Sequence, residues 1–490
     1  MSKSVRTSEE ASLRILHAIA FYPRGGSAQV VRYLARALID RGHTVQVVSG
    51  SLKESGRESD AEVFYEGIPL VEMDYAEAIR GFGAGLDPMS DQFAAPLAPS
   101  YEDKPGVPDR VFYRVGRHEM RHLVESWRSV LAKVTDDFRP HVAHLHHLNH
   151  LHLAAASLAT MTRTPKLAHL HGTELKMLEE MKTLSDPDGH VINWDEHLHT
   201  VAARMDHFIA VSPDNVVRAK QLLGLDNEAV SLLPNGVDTS LFRPQDWSPE
   251  EKISFLEELL VNSPRGWDES GVVGSISYSR QALKAFIDET GKLKPILMFV
   301  GRFLGFKRVP LLIEAVAQAN RAFAGLGYEQ PYNLLICGGV PGEWEGDHPQ
   351  AVARRLGSSN VFFCGWLSHA TLAKVLILAD VMVAPSYYEP YGLVFLEAMA
   401  TGIPVIATRS GGPLSFVVGD GNTANGWFTK VDDLESLTGA IIESVSNESE
   451  RRRRGRNAHK FVTTSYSWSS IAKRFERVYR ELLAAQSTDT

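Results

Sequence analysis

Two glutamates in the second half of the chain stand at positions suited to binding a hydroxyl-rich ligand. In the run VMVAPSYYEPYGLVFLEAMATG, Glu389 lies in the loop after an apolar strand and Glu397 lies on the apolar helix that follows. Carboxylates accept hydrogen bonds from hydroxyl groups, such as those of sugars and ribose. A carboxylate on an apolar helix needs a partner when it is buried, so this pair favours ligand contact over an ordinary solvated helix face.

Two cations, Arg302 and Lys307, flank a short turn in the run GRFLGFK, directly after the apolar strand PILMFV. Arginine can clamp a phosphate with two parallel hydrogen bonds, and lysine supplies a point charge. Gly392 allows close backbone approach at a helix start, where the N–H of Leu393 is one of the unpaired donors that favour anions. These residues predict a diphosphate site, although the two cations could also be ordinary surface charges.

The elements that position these residues follow from alternating short apolar runs and amphipathic stretches, a pattern typical of parallel sheets covered by helices. In the first half, strand 13–20 is followed by Gly25-Gly26, a helix over 28–40 and a strand over 44–49. A second series begins near residue 294, and its predicted elements are strands 295–301, 333–337, 361–364, 381–385 and 404–407 with helices 309–322, 371–379 and 393–400. Ligands of open α/β sheets bind at the carboxyl ends of the strands, which is where both charged pairs stand.

Composition narrows the class of protein. The 490 residues carry a formal charge of −8, which gives no electrostatic case for nucleic acid as a partner. The sequence has neither an apolar run of membrane-spanning length nor the apolar stretch of a signal peptide near Met1, so we expect a cytoplasmic protein without stable membrane insertion. Cys337 and Cys364 stand in apolar runs and are expected to be buried thiols, with a disulfide left open. A homo-oligomer is compatible with all of these features.

Two clusters have competing interpretations. Histidines concentrate around one predicted strand and its loop, at His141, His144, His146, His147, His150 and His152. A metal site is one interpretation of them, and histidines that bind no metal are the favoured one. The basic run 451–456 is interpreted as the solvated start of a helix.

Taken together, these segments resemble the family-4 retaining glycosyltransferases, which have the GT-B fold. The matching segments, in family order, are FYPRGGSAQ, HLHGTE, FIAVSPDNV, LLPNGVDTSLF, GRFLGFKR, the Glu389/Glu397 pair and the ending YSWSSIAKRFERVY. The resemblance implies two Rossmann-like domains that face each other across a cleft. It places an acceptor-binding domain at 1–242, a linker or insertion at 243–292, a donor-binding domain at 293–465 and, at 466–490, a helix that packs back on the first domain.

The resemblance also implies a role for individual residues. Arg302 and Lys307 match the pair that binds the donor diphosphate, together with the backbone of Gly392 and Leu393. Glu389 matches the glutamate beside the transferred sugar, and Glu397 the one that holds the ribose. The other implied contacts are the segment Gly365 to Leu367 near the base, Gly26 near the phosphate, and His171, with His169 as the runner-up, near a hydroxyl of the donor sugar. The predicted catalytic residues are therefore His171, Glu389, Arg302 and Lys307.

The implied reaction moves a hexose-type sugar, with retention, from a nucleotide diphosphate sugar, UDP-sugar before GDP- or ADP-sugar, to a hydroxyl of a soluble small molecule. The resemblance also implies that the histidine cluster lines the cleft, and that neither a metal nor a cofactor beyond this co-substrate is needed. Gly25, Gly26, His147 and Glu174 are the predicted acceptor contacts. The long segment 53–116 and the acidic stretch Glu174, Glu179, Glu180, Asp186, Asp188, Asp195 and Glu196 favour an acceptor that carries an amine. An epimerase or isomerase on the same fold, and a lipid-linked or polysaccharide acceptor, stay open as alternatives.

Overall fold

The computed structural model describes residues 11–23, 25–53, 59–101, 108–181, 193–328 and 330–488. The chain divides into two α/β units. Unit 1 comprises Met1–Gly236 and Trp468–Thr490, and unit 2 comprises Val237–Ser467. The segment 243–292, predicted as a linker or insertion, therefore lies within unit 2.

Unit 1 is built on a seven-stranded parallel sheet with the order β3-β2-β1-β4-β5-β6-β7. Its strands are β1 (Arg14–Ile19), β2 (Thr44–Ser51), β3 (Leu70–Asp74), β4 (Val142–His146), β5 (Lys166–Leu170), β6 (His207–Ala210) and β7 (Val230–Leu232). Its first eight helices are α1 (Gly26–Asp40), α2 (Ala61–Phe64), α3 (Ala76–Gly83), α4 (Arg117–Phe138), α5 (His150–Ala156), α6 (Thr173–Met181), α7 (Trp194–Ala202) and α8 (Pro213–Leu223). Strands β4 and β5 are buried along their whole length, as parallel strands covered on both faces are.

Unit 2 repeats the plan with a six-stranded parallel sheet in the order β10-β9-β8-β11-β12-β13. Its strands are β8 (Ile296–Gly301), β9 (Asn333–Gly338), β10 (Val361–Gly365), β11 (Val381–Ala384), β12 (Val405–Thr408) and β13 (Gly426–Thr429). Its helices are α9 (Pro249–Glu257), α10 (Val309–Gly325), α11 (Pro349–Arg355), α12 (His369–Leu376), α13 (Leu393–Ala400), α14 (Leu434–Ser446) and α15 (Glu448–Ser465). The predicted strands and helices of both halves are confirmed to within three residues at their ends, and so is the prediction of two Rossmann-like parallel sheets.

The last helix, α16 (Trp468–Thr488), belongs to unit 1, where it packs against α1. Its buried face includes Ile471, Phe475 and Val478. Glu476 forms an ion pair with Arg41 at the end of α1. The helix is therefore part of the hydrophobic core of unit 1.

The segment 243–292 covers one edge of the second sheet, which would otherwise be exposed. Strand β10 is the outermost strand, and its Phe363 N–H donates to the Tyr278 hydroxyl at 2.8 Å. Trp267 is buried and donates its indole N–H to the Gly339 carbonyl at 3.3 Å. Covering a strand edge in this way satisfies its backbone groups and prevents pairing with other chains.

The basic run 451–456 does lie on a helix, α15, but the prediction of a solvated face is wrong for two of its arginines. Arg451 and Arg454 are both buried. Arg451 donates to the carbonyls of Ser444 and Val445 at 2.7 and 3.1 Å, at the end of α14. The last carbonyls of a helix lack intrahelical partners, so a guanidinium there satisfies acceptors that the sequence pattern does not reveal.

Both predicted thiols are buried and free. Cys337 stands on β9 and Cys364 on the neighbouring β10. Among the described helices, none combines the length and the apolar character that crossing a membrane requires.

Candidate active site

The four charged residues predicted in unit 2 stand on the loops after β8 and β11 and on α13. Strands β8 and β11 are the neighbours at which the strand order of the sheet reverses. Arg302 follows β8 directly, and Lys307 closes a 3₁₀ turn just before α10. Glu389 stands between β11 and α13. Because β8 and β11 are parallel neighbours, the loops after them leave the same edge of the sheet. In open α/β sheets, this reversal point is where ligands bind.

Lys307 and Glu389 form an ion pair across these two loops. The Lys307 ammonium donates to Glu389 Oε2 at 2.5 Å, and the Ser386 hydroxyl donates to the same oxygen at 3.1 Å. Glu389 is only 8% exposed, so this pairing compensates a largely buried carboxylate. The sequence predicted a sugar for Glu389 and a phosphate for Lys307 but did not predict their contact. An ammonium has three donors, so Lys307 keeps capacity for a ligand oxygen beside Glu389.

Glu397 has a histidine partner that the sequence did not predict. It is buried on α13, and its Oε1 lies 2.7 Å from Nε2 of His369, the first residue of α12. The signal for His369 was present, because it follows the segment Gly365 to Leu367 by two residues and a carboxylate on an apolar helix requires a partner. One hydrogen bond therefore joins the predicted ribose-binding carboxylate to the start of α12, two residues after the predicted base-binding segment.

Gly392 adopts a left-handed conformation, with φ 90°, at the N-cap of α13. A Cβ atom there would lie 2.7 Å from Phe395 Cδ2 and 3.0 Å from Glu389 Cγ. Only glycine fits this position, because both the backbone conformation and the space exclude a side chain. The first turn of α13, beginning at Leu393, therefore presents its backbone N–H groups without an intervening side chain at residue 392.

A second glycine pair, Gly411-Gly412, supports the same loop and was not predicted. The Gly412 N–H donates to the Glu389 carbonyl at 2.7 Å. Gly411 has φ 62°, and a Cβ there would collide with that same carbonyl. The sequence signal was the Ser-Gly-Gly-Pro run after β12, which is typical of a turn.

Gly365 and Leu367 lie at the end of β10 and in the loop that leads to α12. Gly365 has φ 68°, and a Cβ there would collide with the Arg265 carbonyl. The glycine is thus required by packing against the segment that covers β10, whatever else it contacts. Leu367 is half-buried, and Trp366 between them is 41% exposed.

In unit 1, the predicted Gly25-Gly26 turn lies between β1 and α1. Gly25 is the N-cap of α1 without a side-chain hydrogen bond, Gly26 is the first helical residue, and both are exposed. The neighbouring Arg24 lies outside the described residues. Because β1 borders β4 where the order of the first sheet reverses, this turn occupies the position in unit 1 that corresponds to the Arg302 loop in unit 2.

Glu174, predicted to contact an acceptor, is used inside unit 1. It is 1% exposed, and its Oε1 accepts from the backbone N–H groups of His171 and Gly172 at 2.6 and 3.3 Å. Its Oε2 lies 3.2 Å from His147 Nδ1. Burial alone would raise the pKa of Glu174, but the hydrogen bonds from His147 and the backbone outweigh it and hold this pKa below its usual value. The described structure therefore gives Glu174 the role of fixing the His171 loop and His147, not that of facing a ligand.

The remaining predicted acceptor segments are described only in part. Asp186 and Asp188 lie outside the described residues. Glu179 pairs with Arg218 at 2.6 Å, so this part of the acidic stretch is already compensated.

His171, itself half-buried, belongs to a group of histidines on β1, β4, β5 and the loop after β5. The group consists of His17, His144, His146, His169 and His171, with ring centroids of neighbours 4.5 to 5.4 Å apart. Burial lowers the pKa of His17 and of His169 to about 3, and the pKa values of His144, His146 and His171 also lie well below 6.5, because of burial and then of the neighbouring rings. These side chains are neutral at physiological pH.

The same group contains two sets of three histidines whose ring nitrogens lie within 4.8 Å of one another. Metal ligation requires the lone pairs, which lie in the ring planes, to converge on one point. Here the rings stack, with interplanar angles of 12° for His144 with His146 and 16° for His169 with His171. This near-parallel arrangement favours ring packing and hydrogen bonding over metal coordination.

Comparison with known proteins agrees with this geometry. Residues 24–241 match the family model described as Glycosyltransferase Family 4, and residues 283–461 match that of Glycosyl transferases group 1. The chain is 30% identical to alpha-maltose-1-phosphate synthase of Mycolicibacterium smegmatis, over 60% of this chain and 67% of that protein. It is 29% identical to glycogen synthase of Mycobacterium tuberculosis, over 95% and 94% of the two chains. The protein belongs to the group 1, family-4 type of glycosyltransferases.

A solved structure shows the same fold. HepE from Anabaena, in complex with UDP-glucose, superposes with a TM-score of 0.60 at 18% identity and covers 96% of this chain and 100% of its own. The predicted GT-B fold is confirmed.

Proposed function

We propose that this protein is a retaining hexosyltransferase that moves a sugar from a nucleotide diphosphate sugar to a hydroxyl of a small-molecule acceptor. The observation that carries the proposal is the meeting of Lys307, Glu389 and the start of α13 where the strand order of unit 2 reverses. A cation, a carboxylate and free backbone donors stand there together, which is the set that a pyrophosphate joined to a hydroxyl-bearing sugar requires.

In this proposal, Arg302, Lys307 and the backbone N–H of Leu393 bind the pyrophosphate. Glu389 accepts hydrogen bonds from the transferred sugar, and Glu397, oriented by His369, accepts them from the ribose. The segment Gly365 to Leu367 contacts the base. In unit 1, His171 contacts a hydroxyl of the sugar, and Gly25, Gly26 and His147 contact the acceptor. Glu174 acts through His147 and the His171 loop.

The barrier falls chiefly by positioning and by stabilising the charge that builds up on the departing diphosphate. The bond from the anomeric carbon to the diphosphate oxygen breaks, the acceptor oxygen bonds to the same face, and its proton passes to the leaving diphosphate. This route needs no carboxylate pair of the kind that retaining hydrolases use. It also needs no metal, because Arg302 and Lys307 supply the positive charge. Turnover should therefore be unchanged in EDTA, and loss of turnover that zinc restores would contradict this point.

UDP-glucose is the first donor to test, because HepE, which shares this fold, was captured with it. A thermal-shift screen of UDP-, ADP- and GDP-sugars tests donor binding, since a ligand at about 100 times its Kd adds about 2.7 kcal/mol of stability. The variant Arg302→Ala should lose the shift, and Arg354→Ala, an exposed arginine on α11, should keep it. An unchanged shift in Arg302→Ala would contradict the proposed donor site.

NMR of the reaction separates the remaining activities. Donor and acceptor together should give a product with the anomeric configuration of the donor, whereas an epimerase would convert the donor without any acceptor. Acceptors to screen by mass spectrometry are aminosugars and aminocyclitols first, because Asp195 and Glu196 of the acidic stretch are exposed on α7. Glycogen is the second class, because the relative that matches 95% of this chain is a glycogen synthase.

A further inference from the structure

The histidines of unit 1 form a hydrogen-bonded chain that ends at the proposed catalytic His171. His17 Nδ1 lies 3.0 Å from His146 Nε2, and His146 Nδ1 lies 3.1 Å from His171 Nε2. His146 therefore uses both ring nitrogens, and it connects β1 to the loop after β5. His171 is half-buried, and its Nδ1 makes no hydrogen bond within the described part of the chain.

The hydrogen bonds of these three histidines must all run in the same direction, because each ring is neutral. A neutral imidazole has one N–H donor and one bare nitrogen, so His146 must donate to one neighbour and accept from the other. If His17 donates to His146, then His146 donates to His171, and the proton of His171 resides on Nδ1. In the opposite direction, the proton of His171 resides on Nε2 and Nδ1 is bare.

His17, at the buried end of this hydrogen-bonded series, decides between the two directions. His17 is fully buried, and its Nε2 has no hydrogen-bond partner among the described residues. With the first direction, this atom is a bare nitrogen; with the second, it is an N–H donor buried without an acceptor. Buried donors without partners are rarer in proteins than under-satisfied acceptors, so the first direction has the lower free energy.

We propose that His17 and His146 are positioning residues whose hydrogen-bonded chain holds His171 in the tautomer with the proton on Nδ1, as a donor to an oxygen of the transferred sugar. The role of the sugar rests on the proposed function, whereas the tautomer is a property of unit 1 alone. The hydrogen bond made by one ring nitrogen of a histidine sets which nitrogen carries the proton, and here a histidine supplies that bond.

A second hydrogen-bonded chain of side chains, next to the first, provides the matched control. Tyr479 Oη lies 2.6 Å from His144 Nδ1, and His144 Nε2 lies 3.0 Å from His169 Nδ1. This second chain is equally buried, but it makes no hydrogen bond to His17, His146 or His171. Tyr479→Phe therefore removes a buried hydrogen bond from the same cluster and leaves the hydrogen bonds of His17, His146 and His171 in place.

The test measures the ring ¹⁵N shifts of His171 in full-length protein labelled at histidine, assigned by their loss in His171→Asn. We expect Nδ1 to be protonated in the wild type and in Tyr479→Phe, and both tautomers to appear in His146→Leu. In His146→Asn the amide nitrogen stands where His146 Nδ1 was, so the wild-type tautomer should return. A proton on Nε2 in the wild type, or an unchanged signal in His146→Leu, would overturn the proposal.

Kinetics provide the second measurement. The kcat of His146→Leu should fall about 10- to 100-fold, by analogy with the loss of partners that orient metal-bound histidines. The KM for the donor should change little, and His146→Asn should recover most of the lost kcat. If His146→Leu does not fold, the wild-type tautomer and His146→Asn still decide the question. A protein with the expected tautomer but no transfer activity would refute the proposed function, but it would still support the proposed role of His17 and His146.

Discussion

At the scale of single residues, the site of unit 2 depends on a contact between two groups that were predicted to act separately. Lys307 compensates Glu389 before any ligand is considered, and Glu389 in turn holds the Lys307 ammonium beside the loop between β11 and α13. Removing either partner leaves the other largely buried without its counter-charge. Removal of Lys307 should therefore cost stability as well as turnover.

Lys307→Met should lower kcat/KM by about 10²- to 10³-fold, because a donor to the departing diphosphate is lost. It should also destabilise unit 2 by about 3 kcal/mol, because Glu389 loses its counter-charge. Enzyme assays and chemical denaturation measure the two effects. The double variant Lys307→Met, Glu389→Gln should regain stability but not turnover, and Lys430→Met, at an exposed lysine, should change neither. Full turnover in Lys307→Met would contradict the prediction.

Gly392→Ala should destabilise the protein by at least 1 kcal/mol and abolish the thermal shift with donor. The left-handed backbone costs a residue with a side chain about 1–2 kcal/mol, and the new Cβ would press on Phe395 and Glu389. Gly421→Ala is the matched control, since Gly421 also has a positive φ, of 79°, but open space around its Cβ position. Equal donor shifts in the two variants would show that crowding at Gly392 does not matter for binding.

At the scale of elements, α16 belongs to unit 1, although the whole of unit 2 lies between it and the rest of unit 1 along the sequence. Its contribution is apolar and polar together. Phe475 lies against the rings of His144 and His169, and Tyr479 is fully buried with its hydroxyl on His144. Burial also raises the pKa of Tyr479 well above 10, so its hydroxyl stays protonated and available for this hydrogen bond.

Tyr479→Phe should destabilise unit 1 by about 1–3 kcal/mol, because His144 Nδ1 is left buried without a partner. Urea denaturation followed by circular dichroism measures the change. Arg477→Ala, on the exposed side of the same helix, should fall within about 0.5 kcal/mol of the wild type. A Tyr479→Phe variant as stable as the wild type would mean that the hydroxyl contributes nothing net.

At the scale of the whole molecule, the two units differ in how many buried histidines they hold. In the described part of the chain, the buried histidines of unit 1 are His17, His43, His144, His146, His147, His150, His152 and His169, whereas unit 2 has His348. Burial lowers the pKa values of seven of the unit 1 histidines, namely His17, His43, His144, His146, His150, His152 and His169. These shifts bear on acid stability because the same side chains bind protons near pH 6.5 in the unfolded chain.

Unit 1 should therefore lose stability before unit 2 as pH falls below 6.5. Burial lowers the pKa of His17, His150, His152 and His169 to about 3, so below pH 6.5 the unfolded state binds more protons and stability falls as pH falls. At pH 5 each such histidine costs about 2 kcal/mol. Hydrogen exchange by mass spectrometry, corrected for intrinsic rates, should show β4 and β5 losing protection before β8 and β11. Simultaneous loss in both units would contradict this prediction.

The sequence by itself determined the local structure and the identity of the reactive groups. The strand and helix patterns of both units depend on apolar periodicity and glycine turns, which are properties of neighbouring residues, and the motif order indicated the family. Arg302, Lys307, Glu389 and Glu397 were identified because they stand at the ends of apolar strands or on an apolar helix.

Only the tertiary structure decided which of these groups meet. Lys307 contacts Glu389 because β8 lies beside β11, and His17 contacts His146 because β1 lies beside β4; these pairs are 82 and 129 residues apart along the chain. Strand order is set by how helices pack over the whole sheet, and no local pattern encodes it. For the same reason, Glu174 was predicted to face a ligand, whereas the folded chain buries it beneath the His171 loop, where a carboxylate is needed to bind two backbone donors and a histidine.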